Sequence, residues 1–316
     1  MGRFIKKVTH PPRLTFLRIF RAMWRQKSKN PKCPDQPRLD GKLALVTGGN
    51  HGIGFETTQG LAERGAEVII LARNEAKSRK AMEKTQEEIR NKVHFILMDL
   101  GDIESILTAA KEIAQVFPER KIDLVVANAG ISPSGYSTSV QGYEIGFAVN
   151  VLGHHVLFKA CLDQLLLKDN AQIISLAGDI YILGKKSRPD YFSKEDSVTN
   201  SYCQSKLGCM WWAFKLSEKY PKFSINIVHP GVVATGLGGE TTGAFRQLLR
   251  KNLMLSPGEG AQTTLICATQ PDVVNGAYYH NTMGQIILPI DDPAVNSENA
   301  EEFWNILEDI ASKYMA

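Results

Sequence analysis

The sequence predicts an α/β fold, a doubly wound parallel sheet with helices on both faces, in a single domain. Short apolar runs alternate with longer helical patterns, which is the order expected of strands joined by crossover helices. The first apolar run ends in a glycine-rich turn. The 316 residues, 43% of them hydrophobic, suffice to bury one sizeable core, so disordered and collagen-like classes are excluded for most of the chain.

Six apolar runs are predicted to be the strands of this sheet. They span residues 43–47, 68–72, 93–98, 124–127, 173–176 and 225–229. Ligands of such sheets bind beyond the carboxyl ends of the strands, so residues that end these runs are the first candidates for a site. Near the C-terminus, Ser297 is predicted to cap an amphipathic helix that closes the domain.

Residues 1–39 are predicted to be a basic N-terminal extension, and residues 40–316 the folded domain. Residues 1–34 contain ten Lys or Arg and no acidic residue, whereas the whole chain has a net charge of +4. The remainder is therefore mildly acidic, and nothing in it indicates a nucleic-acid surface. Three prolines between residues 29 and 39 indicate an extended linker.

Within this extension, residues 13–25 have the pattern of a short basic amphipathic helix. Three interpretations remain open. The helix contacts a membrane surface, it is a mitochondrial targeting segment, or it packs on its own domain or a partner. The first predicts a cytoplasmic protein attached to the endoplasmic reticulum or to lipid droplets, and the second predicts a mitochondrial protein.

The five cysteines are scattered and form no C-x-x-C pair. This argues against a disulfide framework or a zinc knuckle and fits a reducing compartment. His, Cys and acidic residues show no metal-ligand spacing, so no metal is expected. No apolar run has the length of a conventional membrane span.

The turn after the first predicted strand has the pattern of a phosphate-binding turn. Its glycines let the backbone turn tightly and approach a pyrophosphate, and the helix that follows presents its positive N-terminal end there. The spacing is G-x-x-x-G-x-G, and its position between a strand and a helix favours nucleotide binding over a simple turn. The predicted contacts are Gly48, Asn50, His51, Gly52, Ile53 and Gly54.

The residues after the second and third strands bear on the choice of cofactor. Arg73 stands where an acidic residue would bind the ribose diol of NAD, and its guanidinium can instead pair with a 2′-phosphate. The sequence therefore favours NADP (NADPH), while the nearby Glu75 keeps NAD open. Asp99 and Leu100 are predicted to contact the cofactor, with capping of the next helix as the alternative for Asp99.

A second group of candidates follows the later strands. Asn128, Ala129 and Gly130 are small or short residues that let the chain pass close to a cofactor. Tyr202 and Lys206 are spaced i and i+4 and therefore share one helix face. A lone Y-x-x-x-K is frequent by chance. The motif is significant here because it follows, in order, the glycine turn, the Asn-Ala-Gly stretch and a strand that ends near a serine.

These motifs, in this order, resemble the short-chain dehydrogenase/reductase family from about residue 42 to residue 268. Within that family the chain looks most like the retinol dehydrogenase branch. The stretches that support this branch are residues 149–154, 202–207, 229–233 and 259–263. The resemblance implies a Rossmann-like fold and an NAD(P)-dependent alcohol dehydrogenase or carbonyl reductase in lipid metabolism. Two departures, a single Ser175 after Ile174 and Ala127 in place of an Asn, remove no catalytic group.

The resemblance also implies a role for each candidate. Tyr202 gives or takes the hydroxyl proton, while cationic Lys206 favours its ionised form and binds the nicotinamide ribose. Ser175 bonds the substrate oxygen, and Asn150 holds a water that links Lys206 to solvent. The remaining implied cofactor contacts are Pro230, Gly231, Val233 and Thr235, with Thr235 on the carboxamide.

The predicted substrate is a lipophilic alcohol or carbonyl of the retinoid, steroid or lipid-aldehyde class. Residues 236–257 are glycine-rich and then apolar, which predicts a lid over the substrate. A non-catalytic cofactor-binding or scaffold protein of the same fold is the alternative, although the four catalytic candidates argue against it. A homodimer and membrane contact through residues 13–25 are the partners that the sequence leaves open.

Overall fold

The sheet is the one that the sequence predicts, extended by two strands. The computed structural model describes residues 24–184, 190, 198–234 and 253–315, with the backbone alone for 198–200. The strands are β1 Leu43–Thr47, β2 Glu67–Ala72, β3 Val93–Leu97, β4 Ile122–Ala127, β5 Leu167–Leu176, β6 Ser224–His229, β7 Ala277–His280 and β8 Gly284–Ile286. Their order is β3-β2-β1-β4-β5-β6-β7-β8. Neighbours are parallel throughout, except that β8 runs antiparallel to β7.

Helices connect the parallel strands and lie on both faces of the sheet. They are α1 Gly52–Glu63, α2 Glu75–Lys84, α3 Glu87–Arg90, α4 Ile103–Val116, α5 Ile145–Asp163, α6 Val198–Lys219, α7 Pro257–Thr269 and α8 Ser297–Ser312. A π-helical segment, Ala148–Leu152, interrupts α5. The prediction of a doubly wound, Rossmann-like α/β fold is confirmed.

Strand β1 shows why the sequence dictates two helical layers. Leu43 and Leu45 lie in the core formed with α4, α5, α6 and α8, whereas Ala44 and Val46 lie in the core formed with α1 and α7. Side chains of a strand alternate between faces, and all of these are buried. A strand that is apolar on both faces must be covered on both sides, which the crossover helices between the parallel strands achieve.

Two helix caps differ from the sequence-based expectation. Asp102, not Asp99, caps α4, since its carboxylate accepts from the Glu104 N–H. Asn296 rather than Ser297 caps α8, with its side-chain oxygen accepting from the Asn299 N–H at 2.9 Å. Ser297 is instead the first helical residue. In each case a neighbouring Asx side chain competes for the same backbone donors and holds the extended cap conformation.

Helix α5 is long and apolar enough to cross a membrane by length and composition. However, 83% of its apolar window is buried inside the fold. It therefore has the burial of a helix that belongs to the core of the domain. Its apolar composition follows from being covered both by the sheet and by neighbouring helices.

The part of the N-terminal extension that the structure describes lies on the domain. Residues 24–29 form a helical turn, and the chain then runs without regular structure to β1. Cys33 is buried, and its N–H donates to Gln262 Oε1 at 2.8 Å. The Arg64 guanidinium donates to the Pro34 carbonyl at 2.7 Å. Residues 24–39 therefore contribute contacts to the fold, and the five cysteines of the chain are all free and buried.

Candidate active site

The strand order reverses between β1 and β4, and this reversal opens a crevice at the carboxyl end of the sheet. Helix α1 leaves β1 toward one face, whereas the segment after β4 leads to the other. Such a switch point is where doubly wound sheets bind their ligands. The sequence-predicted residues from the ends of β1, β4, β5 and β6 all converge on this edge.

The glycine turn is packed too closely to accept side chains. A Cβ placed on Gly54 would lie 2.3 Å from the Gly48 carbonyl oxygen and 2.4 Å from Asn128 Nδ2. Gly48 and Gly52 have φ of +64° and +56°, which favours glycine. Asn50 donates to Ser78 Oγ at 2.9 Å and so ties the turn to α2.

The N-terminal end of α1 remains open to a ligand. Its cap residue, His51, makes no side-chain capping hydrogen bond, and the first turn contains no acidic residue. Free backbone N–H groups at a helix start favour an anion. Arg73 is exposed at the end of β2 and makes no hydrogen bond or ion pair with the described residues. Glu75 is held by Arg79, whose Nε donates to it at 2.9 Å.

Thr47 joins the glycine turn to the end of β4. Its hydroxyl oxygen accepts from the N–H groups of Asn128 and Ala129, at 3.0 and 2.9 Å. It lies 2.9 Å from Nε2 of His154, whose Nδ1 lies 3.1 Å from the Asn150 carbonyl. The carbonyl can only accept, so Nδ1 carries the proton and Thr47 donates to Nε2. Burial lowers the pKa of His154 to about 4, which keeps it neutral for this bridging role.

Asn150 lies in the π-helical segment of α5 and ties this segment to α6. Its Nδ2 donates to the Ile131 carbonyl at 3.0 Å and to Ser205 Oγ at 2.8 Å, and its Oδ1 accepts from the Ile131 N–H at 2.8 Å. The Ser205 hydroxyl donates to the Tyr202 carbonyl at 2.8 Å. The chain before α5 is thereby fixed against the turn of α6 that carries Tyr202 and Lys206.

Lys206 is buried, and its Nζ donates to the Leu176 carbonyl at 2.9 Å, one residue after Ser175. The ammonium lies 6.0 Å from the centre of the Tyr202 ring. A Cβ on Gly130 would lie 3.3 Å from Asn150 Oδ1 and 3.5 Å from Lys206 Nζ, so both polar atoms border the space above this glycine. Ser175 is itself buried, and in the sheet it is paired with Ala127.

The loop after β6 completes this edge. Gly231 has a φ of +91°, and a Cβ there would lie 2.6 Å from Asn281 Nδ2. Val233 contacts Gly260 of α7 closely, since a Cβ on Gly260 would lie 2.6 Å from Val233 Cγ2 and 3.3 Å from Ile53. The glycine turn and this loop therefore meet at α7. Thr235 and most of the predicted lid lie outside the described residues.

Asp99 and Leu100 lie beside the same crevice at the end of β3. Asp99 Oδ1 accepts from the Gly101 N–H at 2.8 Å. Leu100 is buried, and a Cβ on Gly153 would lie 2.5 Å from its carbonyl oxygen. Helix α5 therefore passes close to this turn.

A buried group that sequence spacing does not indicate surrounds Asp179, in the loop after β5. Asp179 accepts hydrogen bonds from the Tyr278 hydroxyl at 2.6 Å and from His280 Nε2 at 3.0 Å. The Asp179 N–H donates to His229 Nδ1 at 3.1 Å. These bonds tie the loop after β5 to the ends of β6 and β7. Burial alone would raise the pKa of Asp179, but the two imidazoles and these hydrogen bonds lower it, so the side chain is ionised.

Asp179, His229 and His280 are close enough together to hold a metal ion by distance alone. The hydrogen bonds argue against that use. Backbone N–H groups of Asp179 and Thr282 donate to Nδ1 of His229 and His280, respectively. Each neutral ring therefore carries its proton on Nε2, the atom that faces the carboxylate, and has no lone pair there for a metal. The group serves as a hydrogen-bonded anchor.

Buried histidines make the fold sensitive to mild acid. Burial lowers the pKa of His154 and His229 to about 4 and of His155 to about 3. The unfolded state therefore binds more protons between about pH 4 and 6.5, and stability falls as the pH drops through that window. We expect the free energy of unfolding, measured by urea titration, to decrease from pH 7 to pH 5.5 by about 1 kcal/mol per pH unit for each histidine.

Replacing His155 tests this prediction most directly. Both of its ring nitrogens are buried without a hydrogen-bond partner among the described residues. The variant His155→Phe should keep its stability at pH 7 and lose less of it at pH 5.5. The matched variant His51→Gln changes an exposed histidine and should leave the slope unchanged. Equal slopes for wild type and His155→Phe would contradict the assignment.

Comparison with known proteins agrees with this geometry. The short chain dehydrogenase family model matches residues 42–244. Mouse retinol dehydrogenase 13 is 31% identical over 290 residues, covering 86% of this chain and 84% of that protein. Among solved structures, an uncharacterized protein from Mycobacterium paratuberculosis matches with a TM-score of 0.71 and 22% identity, covering 90% of this chain and 98% of that one. A short chain dehydrogenase from Burkholderia cenocepacia in complex with NADP matches with a TM-score of 0.63 and 24% identity, covering 78% and 99%.

The chain belongs to the short-chain dehydrogenase/reductase family and resembles its retinol dehydrogenase branch. It is an oxidoreductase whose fold binds a nicotinamide cofactor. The predictions of family, fold and enzyme class are confirmed.

Proposed function

We propose that this protein is an NADP-dependent oxidoreductase that transfers a hydride between the nicotinamide C4 and a lipophilic alcohol or carbonyl, with Tyr202 as the acid/base. The observation that carries the proposal is the placement of Lys206. Its buried ammonium lies one helical turn from Tyr202 and donates to the carbonyl that follows Ser175. This places a buried cation beside the phenol that is proposed to transfer the proton.

The residues of the crevice fit a dinucleotide. The glycine turn leaves a cradle that a Cβ on Gly54 would fill, and the start of α1 offers backbone N–H groups to a pyrophosphate. The bound nicotinamide would supply or accept the hydride. The residues proposed to hold the cofactor are Gly48, Asn50, His51, Gly52, Ile53, Gly54, Arg73, Asp99, Leu100, Asn128, Ala129, Gly130, Tyr202, Lys206, Pro230, Gly231, Val233 and Thr235.

The proposed roles of the side chains are those that the family resemblance implies, and their contacts are consistent with these roles. Tyr202 gives or takes the substrate hydroxyl proton, because its own hydroxyl makes no hydrogen bond to the described residues. Ser175 donates to the substrate oxygen and stabilises charge that develops there. Asn150 Oδ1 keeps one lone pair beyond its bond to Ile131. That lone pair faces the same space as Lys206 Nζ, where a water can pass protons toward solvent.

Arg73 supports the preference for NADP over NAD. Its guanidinium is exposed and available, whereas Glu75, the acidic residue that could favour NAD, is engaged by Arg79. The Burkholderia relative was solved with NADP, which is consistent with this proposal. A 2′-phosphate next to Arg73 would form charge-assisted hydrogen bonds.

Replacing Arg73 tests this preference. Arg73→Ala should raise the KM for NADPH about ten- to a hundredfold, because charge-assisted hydrogen bonds contribute about 1.5–3 kcal/mol. The KM for NADH should stay within a few-fold. Lys80→Ala, an exposed cation on α2, is the matched control and should change neither value. Equal loss for both nucleotides would contradict a role for Arg73 in binding the 2′-phosphate.

The substrate class and location are proposed from the relatives and the extension together. A lipophilic substrate is suggested by the likeness to a retinol dehydrogenase. Trp24, at the end of the predicted amphipathic helix 13–25, is 71% exposed, as a membrane-contacting residue would be. We therefore propose a cytoplasmic enzyme attached to the endoplasmic reticulum or to lipid droplets, with mitochondrial targeting as the alternative. The homodimer stays a prediction.

NADPH consumption tests the proposal directly. Purified protein is assayed with NADPH and with NADH against retinal, steroid ketones and long-chain aldehydes. Turnover with NADPH on at least one class is the expected result. NADPH binding without turnover on all three would favour the scaffold alternative. Failure to bind either nucleotide would contradict the proposed function itself.

A further inference from the structure

Gln26 is a buried residue on an otherwise exposed helical turn. Its side chain is 2% exposed, whereas the other residues of the turn at 24–29 are exposed. Its Nε2 donates to the carbonyls of Val232 at 3.1 Å and Leu253 at 2.7 Å, and its Oε1 accepts from the Val232 N–H at 2.9 Å. The amide therefore pairs with Val232 on both its donor and its acceptor side, as a neighbouring strand would.

Val232, one partner of Gln26, belongs to the loop after β6, which is proposed to hold the nicotinamide end of the cofactor. Val232 follows Gly231 and precedes Val233, both proposed cofactor contacts. Leu255 pairs with this loop, because its N–H donates to the Val232 carbonyl at 2.9 Å and its carbonyl accepts from Ala234 at 2.8 Å. Without Gln26, the Val232 N–H and the Leu253 carbonyl would lose the partners that the structure gives them.

The contact between Gln26 and the loop at Gly231 leaves no room for a side chain on this residue. A Cβ on this residue would lie 2.9 Å from Gln26 Oε1 and 2.8 Å from Leu255 Cδ1. The side chain of Gln26 therefore packs directly against the backbone of the loop at the residue with a φ of +91°. Displacement of the amide removes support from the backbone at this point.

Further contacts fix the segment that carries Gln26, residues 24–34, here called the strap. Asn30 donates to the Glu259 carbonyl at 2.7 Å and accepts from Asn281 Nδ2 at 3.1 Å. Asn281 Nδ2 is also the atom nearest to a Cβ on Gly231. Together with the contact of Cys33 to Gln262, these bonds hold the strap along α7 and the end of β7.

We infer that Gln26 is a positioning residue that sets the nicotinamide end of the cofactor site from the N-terminal extension. The inference rests on the proposed function, since it concerns the same cofactor. It adds that the extension is part of the site's support and that the two ends of a dinucleotide depend on different parts of the chain. The adenosine and pyrophosphate portion depends on the glycine turn and Arg73, and the nicotinamide portion depends on the strap.

Two nucleotides separate these ends experimentally. NADPH reports on the whole site, and 2′-phospho-ADP-ribose lacks only the nicotinamide. Gln26→Glu places a carboxylate against two carbonyl oxygens and should weaken NADPH binding about tenfold, with a reduced shift of NADPH fluorescence on binding. Binding of 2′-phospho-ADP-ribose should stay within twofold of wild type. Gln36→Glu, the same change at an exposed position of the extension, is the control and should alter neither.

The outcomes are distinct. Unchanged NADPH binding in Gln26→Glu would overturn the inference, and so would an equal loss for both nucleotides, which indicates general damage to the fold. Gln26→Met keeps the length of the side chain without its hydrogen bonds. If Gln26→Glu fails to fold, binding of NADPH and of 2′-phospho-ADP-ribose is compared in Gln26→Met instead. A wild type that binds neither nucleotide would instead refute the proposed function, before any variant is made.

The inference also sets where the extension can be shortened. Removing residues 1–23 leaves Gln26 in place and should preserve NADPH affinity. Removing residues 1–34 should weaken NADPH binding about tenfold or more while sparing 2′-phospho-ADP-ribose. Equal NADPH affinity of the two truncated forms would overturn the role assigned to the strap.

Discussion

The variant Tyr202→Phe is expected to lose turnover by about a thousandfold, since general acid–base catalysis contributes about 10²–10⁴ in rate. The change removes one oxygen atom and keeps the ring. The Tyr202 hydroxyl makes no hydrogen bond to the described residues, so no buried partner is left unsatisfied. We therefore expect the melting temperature to match wild type while kcat falls.

A matched control lies just beyond the other end of the same helix. Tyr220→Phe makes the identical change 18 residues further along, about 27 Å away for a continuous helix. Its turnover should equal that of wild type. A Tyr202→Phe enzyme that retains turnover within tenfold would exclude Tyr202 as the acid/base. An equal loss in both variants would indicate a general effect of removing tyrosine hydroxyls.

Gly54→Ala is expected to have the second large effect. The new methyl would lie 2.3 Å from the Gly48 carbonyl oxygen and 2.4 Å from Asn128 Nδ2, and one of these neighbours is backbone. The turn must open to admit it, which removes the cradle for the pyrophosphate. We expect NADPH affinity to fall at least a hundredfold and stability to fall by about 1–3 kcal/mol, as for other overpacked sites.

Gly135→Ala is the control for this change, because a Cβ there meets no atom within 4 Å. It should leave both affinity and melting temperature as in wild type. Isothermal titration with NADPH and thermal unfolding in its absence measure the two quantities separately. NADPH affinity within threefold of wild type in Gly54→Ala would contradict the proposed place of the pyrophosphate.

Much of the fold could be predicted because its strands are apolar on both faces. The six predicted runs all fall on observed strands, and most boundaries agree within one or two residues. The largest difference is β5, which begins at Leu167, because Lys168, Asp169 and Asn170 near its start are polar and exposed. Strands β7 and β8 were not predicted. Each is only a few residues long, and β7 ends in a buried histidine that gives no apolar signal.

The candidate site could be predicted where its residues lie close together in the sequence. The glycine turn and the Tyr202/Lys206 pair have fixed local spacings. The Asp179 anchor had no such signal, because its partners lie 50 and 101 residues away and meet only through the sheet order. Gln26 lay in a segment whose basic and proline-rich composition indicated an extension. A single polar residue there gives no sign of burial, which arises from backbone groups more than 200 residues distant.

That separation has a consequence for the newly made chain. Gln26 cannot bind Val232 until 206 further residues have been synthesised. At about 5–20 residues per second, this takes about 10–40 s. During that interval the basic N-terminal extension is not yet tied to the domain through Gln26. Under the proposed membrane or organelle location, delivery would compete in time with closure of the fold, and slower elongation would lengthen the period available for delivery.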